Sequence, residues 1–242
     1  MKKIFAVTLL LTALLVNCAS AEKIPIGKVY DRESRGAAYA PEEINHPNSI
    51  YYSHVDVDDL TSNANRIILS DYPTYQQMTG YSCGPSAALT VLYYFGVKNF
   101  DEATLVKRMN TKPLIGTSLS GMVNFFRDLG WEVHSRLDTP PIKDGFAFKD
   151  FVRKNLSAGT PVMVENIEFG GHWRVIIGYD TLGTEDDLYD DVLIFVDPYD
   201  TSDNDDNGFT FGSADRFFSM WFDHNMLPEN EREQPWLTAR PK

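Results

Sequence analysis

Between Gly84 and Phe95 the chain carries Ala87, Ala88, Leu89, Val91, Leu92, Tyr93 and Phe95. Pro85 suits the first turn of a helix and Gly96 suits its end. On a helix these apolar residues point almost all round, and such a helix is stable only when wrapped by other elements. The chain must therefore fold around this segment. Hydrophobic residues make up 43% of the 242 and aromatics 13%, enough to do so. That composition excludes a disordered or low-complexity protein.

The elements that could wrap it follow in order. Arg66–Ser70 reads as a short strand. Asp101–Met109 and Ser118–Leu129 read as helices, the second capped by Thr117 or Ser118 and closed by Gly130. Trp131–Leu137 alternates as a strand does, and Phe146–Leu156 reads as a helix ending near Gly159. Strands are expected at Pro161–Val164, Trp173–Tyr179 and Val192–Val196, then a helix capped by Ser213 that runs to about Phe222. Helices lead and strands follow without strict alternation, so the expected class is α+β with a mostly antiparallel sheet.

The first 21 residues are set aside. Lys2 and Lys3 precede an apolar run, Ile4–Val16, that is short for a membrane span, and Ala19-Ser20-Ala21 is a small-x-small cleavage site. This reads as a signal peptide cut before Glu22, for export to a periplasmic or extracellular space. Leu15-Val16-Asn17-Cys18 is the competing lipid-attachment box, but Asn17 is bulky where a small residue is wanted. Residues 22–65 are polar and irregular and read as an N-terminal extension, with the folded domain at 66–242. The formal charge of -12 argues against nucleic acid and anionic membranes as partners. Two cysteines cannot build a disulfide scaffold or a cysteine zinc site. After cleavage one remains, Cys83. No metal or cofactor is expected.

Cys83 stands where a loop meets the buried helix, in Tyr81-Ser82-Cys83-Gly84-Pro85. A helix N-terminus carries unpaired N–H groups and about half a positive charge, which stabilise a thiolate. A thiolate is a strong nucleophile for acyl transfer. Gly84 is expected to leave space for a substrate backbone. Gln77, six residues earlier, could donate to an oxyanion together with the Cys83 N–H; its neighbour Gln76 competes for that place. The nucleophile needs a base. His134 alternates toward water, His46 and His54 fall in the extension, and His224 lies in a polar stretch. His172 follows two glycines, which allow close approach of another stretch of chain, and opens an apolar strand. Asp180, on the same strand, would be roughly 26 Å away at about 3.3 Å per residue. Asp197 ends the next strand. In a hairpin that pairs Asp180 with Asp191, Asp197 lies opposite Arg174 and within side-chain reach of His172.

Gln77-x5-Cys83-Gly84-Pro85, Gly171-His172-Trp173-x-Val175 with Gly178-Tyr179-Asp180, and Asp197-Pro198 resemble the papain-like cysteine peptidases. Within these they are most similar to the bacteriocin-leader-processing (double-glycine) peptidase-like domains, over about residues 66–222. The resemblance implies a papain-like fold and a peptide or protein substrate. It puts the nucleophile on Cys83, the base on His172, the orienting carboxylate on Asp197 and the oxyanion glutamine on Gln77. An acyl or peptidyl transferase using the same residues, or a binding protein on the same fold, are the rival readings. Asp203-x-Asp205-x-Asn207-Gly208 matches the start of a calcium loop, but Ala214 stands at its twelfth position and a solvated acidic loop is the expected reading. Trp221, Phe222 and Trp236 are expected to pack.

Overall fold

The computed structural model describes residues 55–201 and 206–242. Its centre is the helix that opened the sequence argument. Helix α1 spans Cys83–Tyr94, and every residue from Cys83 to Leu92 is buried. It stops where its apolar run stops, and Gly96 takes φ +79° just beyond. Helices α2 (Glu102–Arg108) and α3 (Leu119–Asp128) pack against it, while α4 (Gly145–Ser157) and α5 (Ala214–Ser219) pack on the sheet and on each other. These four are capped by the side chains of Asp101, Ser118, Asp144 and Ser213 respectively. Ser118, not Thr117, caps α3. That helix shows a one-sided apolar stripe, burying Leu119, Met122, Val123, Phe125 and Phe126.

Seven strands form one sheet: β1 (Arg66–Ile68), β2 (Glu132–Ser135), β3 (Val162–Asn166), β4 (His172–Asp180), β5 (Val192–Val196), β6 (Phe209–Ser213) and β7 (Trp236–Arg240). The order is β2-β7-β3-β4-β5-β6, with β1 pairing the outer end of β4. Every pairing is antiparallel, so the expected α+β class is observed. Strand β4 sits in the middle and is buried over eight of its nine residues, which explains its apolar sequence.

Differences from the sequence reading lie where partners are remote. Strands β6 and β7 were not expected. β7 lies between β2 and β3, pairing Leu237 with both Ser135 and Met163. Its five residues carry no strong alternation, and its partners lie far away in the chain. Trp236 packs as expected, 5% exposed, and Trp221 is 1% exposed. Helix α5 ends at Ser219 rather than Phe222, because Phe222 leaves the helix to bridge Glu233 and the Trp221 carbonyl accepts from the Gln234 N–H.

The signal-peptide residues, His46, His54, Asp203 and Asp205 lie outside the described residues. Of the N-terminal extension, residues 55–65 are described. They pack on the domain, with Val57 in the core.

Candidate active site

The loop before α1 is tied in two places. The Gln77 N–H donates to the Pro198 carbonyl at 2.9 Å, so this loop is fastened to the one that follows Asp197. The Met78 N–H donates to the buried Glu102 carboxylate at 3.0 Å. Ser82, at the cap position of α1, spends its hydroxyl on Thr79 instead of on the helix. The first N–H groups of α1 therefore lack the side-chain cap that the other four α-helices have, and Pro85 contributes no N–H. Cys83 begins this uncapped helix and is 6% exposed.

His172 begins β4 and is buried. Its Nε2 lies 2.6 Å from Asp197 Oδ1. The ring also engages the Cys83 side chain, and with Nε2 occupied, Nδ1 is the nitrogen left for it. Phe169 and Tyr199 meet the ring edge-on, with centroids 5.6 and 5.8 Å away. Burial by itself lowers the basicity of the ring. The charge and hydrogen bond of Asp197, and then the Cys83 side chain, outweigh it and hold His172 up at about 9. Burial likewise pushes Asp197 up, but His172, Arg174 and the Tyr199 N–H bring it down to about 2. The pair is thus an imidazolium and a carboxylate at neutral pH. Asp197 Oδ1 also accepts from the Tyr199 N–H at 2.9 Å, and Arg174 lies 4.0 Å from Oδ2 while stacking on Phe195.

The hairpin register explains how Asp197 arrives there. The outer end of β4–β5 pairs Asp180 with Val192, one residue off the expected partner. A bulge at Ile177 restores the expected register, and Val175 faces Val196. The next positions along are Arg174 and Asp197. Asp180 is far out on the strand, in an ion pair with Arg66.

Of the two glutamines, Gln77 is buried and Gln76 is exposed, reaching Asp206 at 3.4 Å. Gln77 Nε2 donates to the Thr79 carbonyl at 2.6 Å, which fixes the amide orientation and leaves its second N–H uncommitted to that bond. Two local expectations are corrected. Space at Gly84 is not left for substrate: a side-chain carbon there would lie 2.8 Å from Thr117, which fills it. Of the glycines before His172, Gly171 admits side chains rather than another stretch of backbone, since it is met by Asp223 and Glu165, and Gly170 is met by nothing. His134 and His224 are exposed on carboxylates of their own, Glu132 and Glu233, away from the cysteine. Among the described residues, no cluster of His, Cys, Asp or Glu is placed to hold a metal ion.

A model of the Peptidase_C39 like family matches residues 69–211. The chain belongs to this family. Cys83, His172, Asp197 and Gln77 all fall inside the matched span, and family membership makes the chain a cysteine-type peptidase. Among solved structures, the peptidase domain of Streptococcus ComA, described as a bi-functional ABC transporter involved in a quorum sensing pathway, is 22% identical. It covers 71% of this chain and 99% of its own, with a TM-score of 0.49. The peptidase domain of Streptococcus mutans ComA is 19% identical, covers 70% of this chain and 100% of its own, and has a TM-score of 0.42. The assignment rests on the family model and not on these two likenesses. No curated protein matches the chain.

Sequence reasoning passed over several members of this C39-like centre. Arg174 was seen only as a register marker, although it braces Asp197. Ser82, Glu102 and Thr117 shape the cysteine loop. Phe169 takes φ +55° beside the histidine, and is 53% exposed. Glu165 was hidden in an apolar strand, where a lone buried carboxyl is the one available signal.

Proposed function

We propose that the chain is an exported cysteine peptidase whose triad is Cys83, His172 and Asp197, with Gln77 as oxyanion donor. The observation that carries this reading is the 2.6 Å bond from His172 Nε2 to Asp197 Oδ1, in a ring that also engages Cys83 at the head of α1.

The chemistry follows from the geometry. The Cys83 thiolate attacks the carbonyl carbon of a peptide bond, and the carbonyl oxygen becomes an oxyanion. The uncapped Cys83 N–H and the second N–H of Gln77 Nε2 stabilise it. As the C–N bond breaks, imidazolium His172 gives its Nδ1 proton to the departing amine. The neutral ring then takes a proton from water, which attacks the thioester and releases the acyl product. Asp197 stays ionised throughout. It orients the ring and supports its charge. Arg174 and the Tyr199 N–H hold Asp197 in place.

Peptide-library profiling of the wild type against Cys83→Ala tests the reading. Products should appear with the wild type alone. Added amine should leave the hydrolysed product dominant; amine adducts as the main product would make it a transferase. Gln77→Ala should slow turnover by roughly a hundredfold while Cys83 alkylates at nearly the wild-type rate. An equal fall in alkylation would mean that Gln77 shapes the loop and does not act on the oxyanion.

Export is proposed from Lys2-Lys3, the apolar run and the Ala19-Ser20-Ala21 site. No helix among the described residues is long and apolar enough to cross a membrane. The secreted protein should begin at Glu22 by intact-mass measurement. A diacylglycerol adduct on Cys18 would replace this by lipoprotein anchoring.

A further inference from the structure

Two acids near the centre have no part in the chemistry above. Glu165 lies on β3 opposite Trp173 and is 2% exposed. Asp223 follows α5 and is 0% exposed. Among the described residues, neither forms an ion pair with lysine or arginine. Glu165 Oε2 and Asp223 Oδ2 accept from no N–H or O–H donor. The two buried carboxyls act on each other, and two carboxylates sharing one site do not both stay ionised, so the pair holds one proton. Burial, then the charge and hydrogen bond of Asp223, then Cys83, push Glu165 well above the usual carboxylate range. Asp223 and Cys83 are the charged or titratable groups that act on it.

Both carboxyls converge on one backbone position. A side-chain carbon at Gly171 would lie 2.6 Å from Asp223 Oδ2 and 3.0 Å from Glu165 Oε1. Gly171 also takes φ +116°, which favours glycine a second time. The backbone just before His172 thus rests on the pair. The pair is itself anchored. Asp223 Oδ1 accepts the N–H groups of Asn225 at 2.8 Å and Met226 at 3.0 Å. The Glu165 N–H donates to the Pro235 carbonyl at 3.1 Å.

We infer that Glu165 and Asp223 are positioning residues: as a carboxyl pair holding one proton, they brace Gly171 and set the His172 ring toward Cys83. This rests on the reading of Cys83 and His172 given above. Truncating either acid leaves a void behind Gly171 and lets the turn relax. Displacing a catalytic group by about 1 Å can cost roughly a hundredfold in rate.

The test uses a peptide cleaved by the wild type. Glu165→Ala and Asp223→Ala should lower kcat by about tenfold or more, with KM within about twofold. Glu165→Gln should restore most of the loss, because its amide N–H donates to Asp223 as the protonated acid does. Infrared difference spectra of wild type against Glu165→Gln at neutral pH should show the C=O stretch of a protonated carboxyl. Should Glu165→Ala fail to fold, the Gln variant and this band decide. The inference is overturned if Glu165→Gln turns over as slowly as Glu165→Ala, if the band is absent, or if KM alone rises. Failure of the peptidase reading looks different: no peptide is cleaved by any variant. Cys83 alkylation at pH 6 then reads the ring placement directly, slowed in Glu165→Ala and restored in Glu165→Gln if the inference holds.

Discussion

Cys83→Ala is expected to lower kcat by a factor on the order of 10⁶, and His172→Ala nearly as far, because the proposed nucleophile and base would act as one unit. The same pair predicts a reactivity that needs no substrate. Cys83 is the one cysteine among the described residues and is 6% exposed at the head of an uncapped helix. Iodoacetamide is expected to alkylate it at pH 6, where an ordinary thiol, titrating at about 8.5, is almost wholly protonated. His172→Ala should remove that low-pH reactivity by deleting the cationic partner. An inert structural cysteine would label slowly at every pH short of unfolding, whatever stands at position 172. That result would return the chain to a binding role on a peptidase fold.

Asp197→Asn is expected to slow turnover at least tenfold at neutral pH while leaving Cys83 open to alkylation. It should also move the alkaline limb of the pH–rate profile. In the wild type, Asp197 and Cys83 hold His172 at about 9, above its ordinary value of 6.5. The imidazolium proposed to protonate the leaving amine is therefore lost as pH rises through about 9. Removing the carboxylate charge removes the leading cause that raises the ring, so the limb should shift to lower pH. Stability carries the same signature. A raised histidine stabilises the folded state fully below about 6.5, and that contribution disappears as pH rises through about 9. Asp197, held at about 2 against an ordinary 3.8, contributes above about 3.8, and the contribution is lost as pH falls toward 2. Melting temperature measured across pH should fall at both ends in the wild type. In Asp197→Asn both declines should be blunted. Unchanged kinetic and melting profiles would mean that the bond between Asp197 and His172 has no energetic role.

Much of this was legible because it is local. A helix apolar on all sides must be central, and α1 is. Caps at Asp101, Ser118, Asp144 and Ser213, and the closing glycines 96, 130 and 159 at positive φ, are short-range chemistry that the chain carries in its own residue order. Cys83 at a helix start and His172 at a strand start could be read in the same way, as positions one residue from an element boundary. The hairpin arithmetic that brought Asp197 near His172 held at the inner end of β4–β5, where Val175 faces Val196.

Tertiary structure decided what depends on remote partners. The bulge at Ile177, which corrects the register before it reaches Asp197, is marked in the sequence only by the neighbouring Gly178, which does not say how far the register shifts. Strand β7 is a strand because β2 and β3 present edges to Trp236–Arg240, and five residues of weak alternation cannot announce that. Gln77 rather than Gln76 turns inward because the Gln77 N–H is fastened to Pro198 across the site. Gly84 was expected to leave room for substrate and Gly171 to admit another stretch of chain, yet Thr117 and the Glu165–Asp223 pair occupy that room. Residue order by itself determined which segments are buried and which residue, Cys83, starts the central helix, since both follow from periodicity and helix-end chemistry. Which side chains stand behind those residues was decided only when distant segments packed, because close contact between residues far apart in the chain leaves no periodic trace.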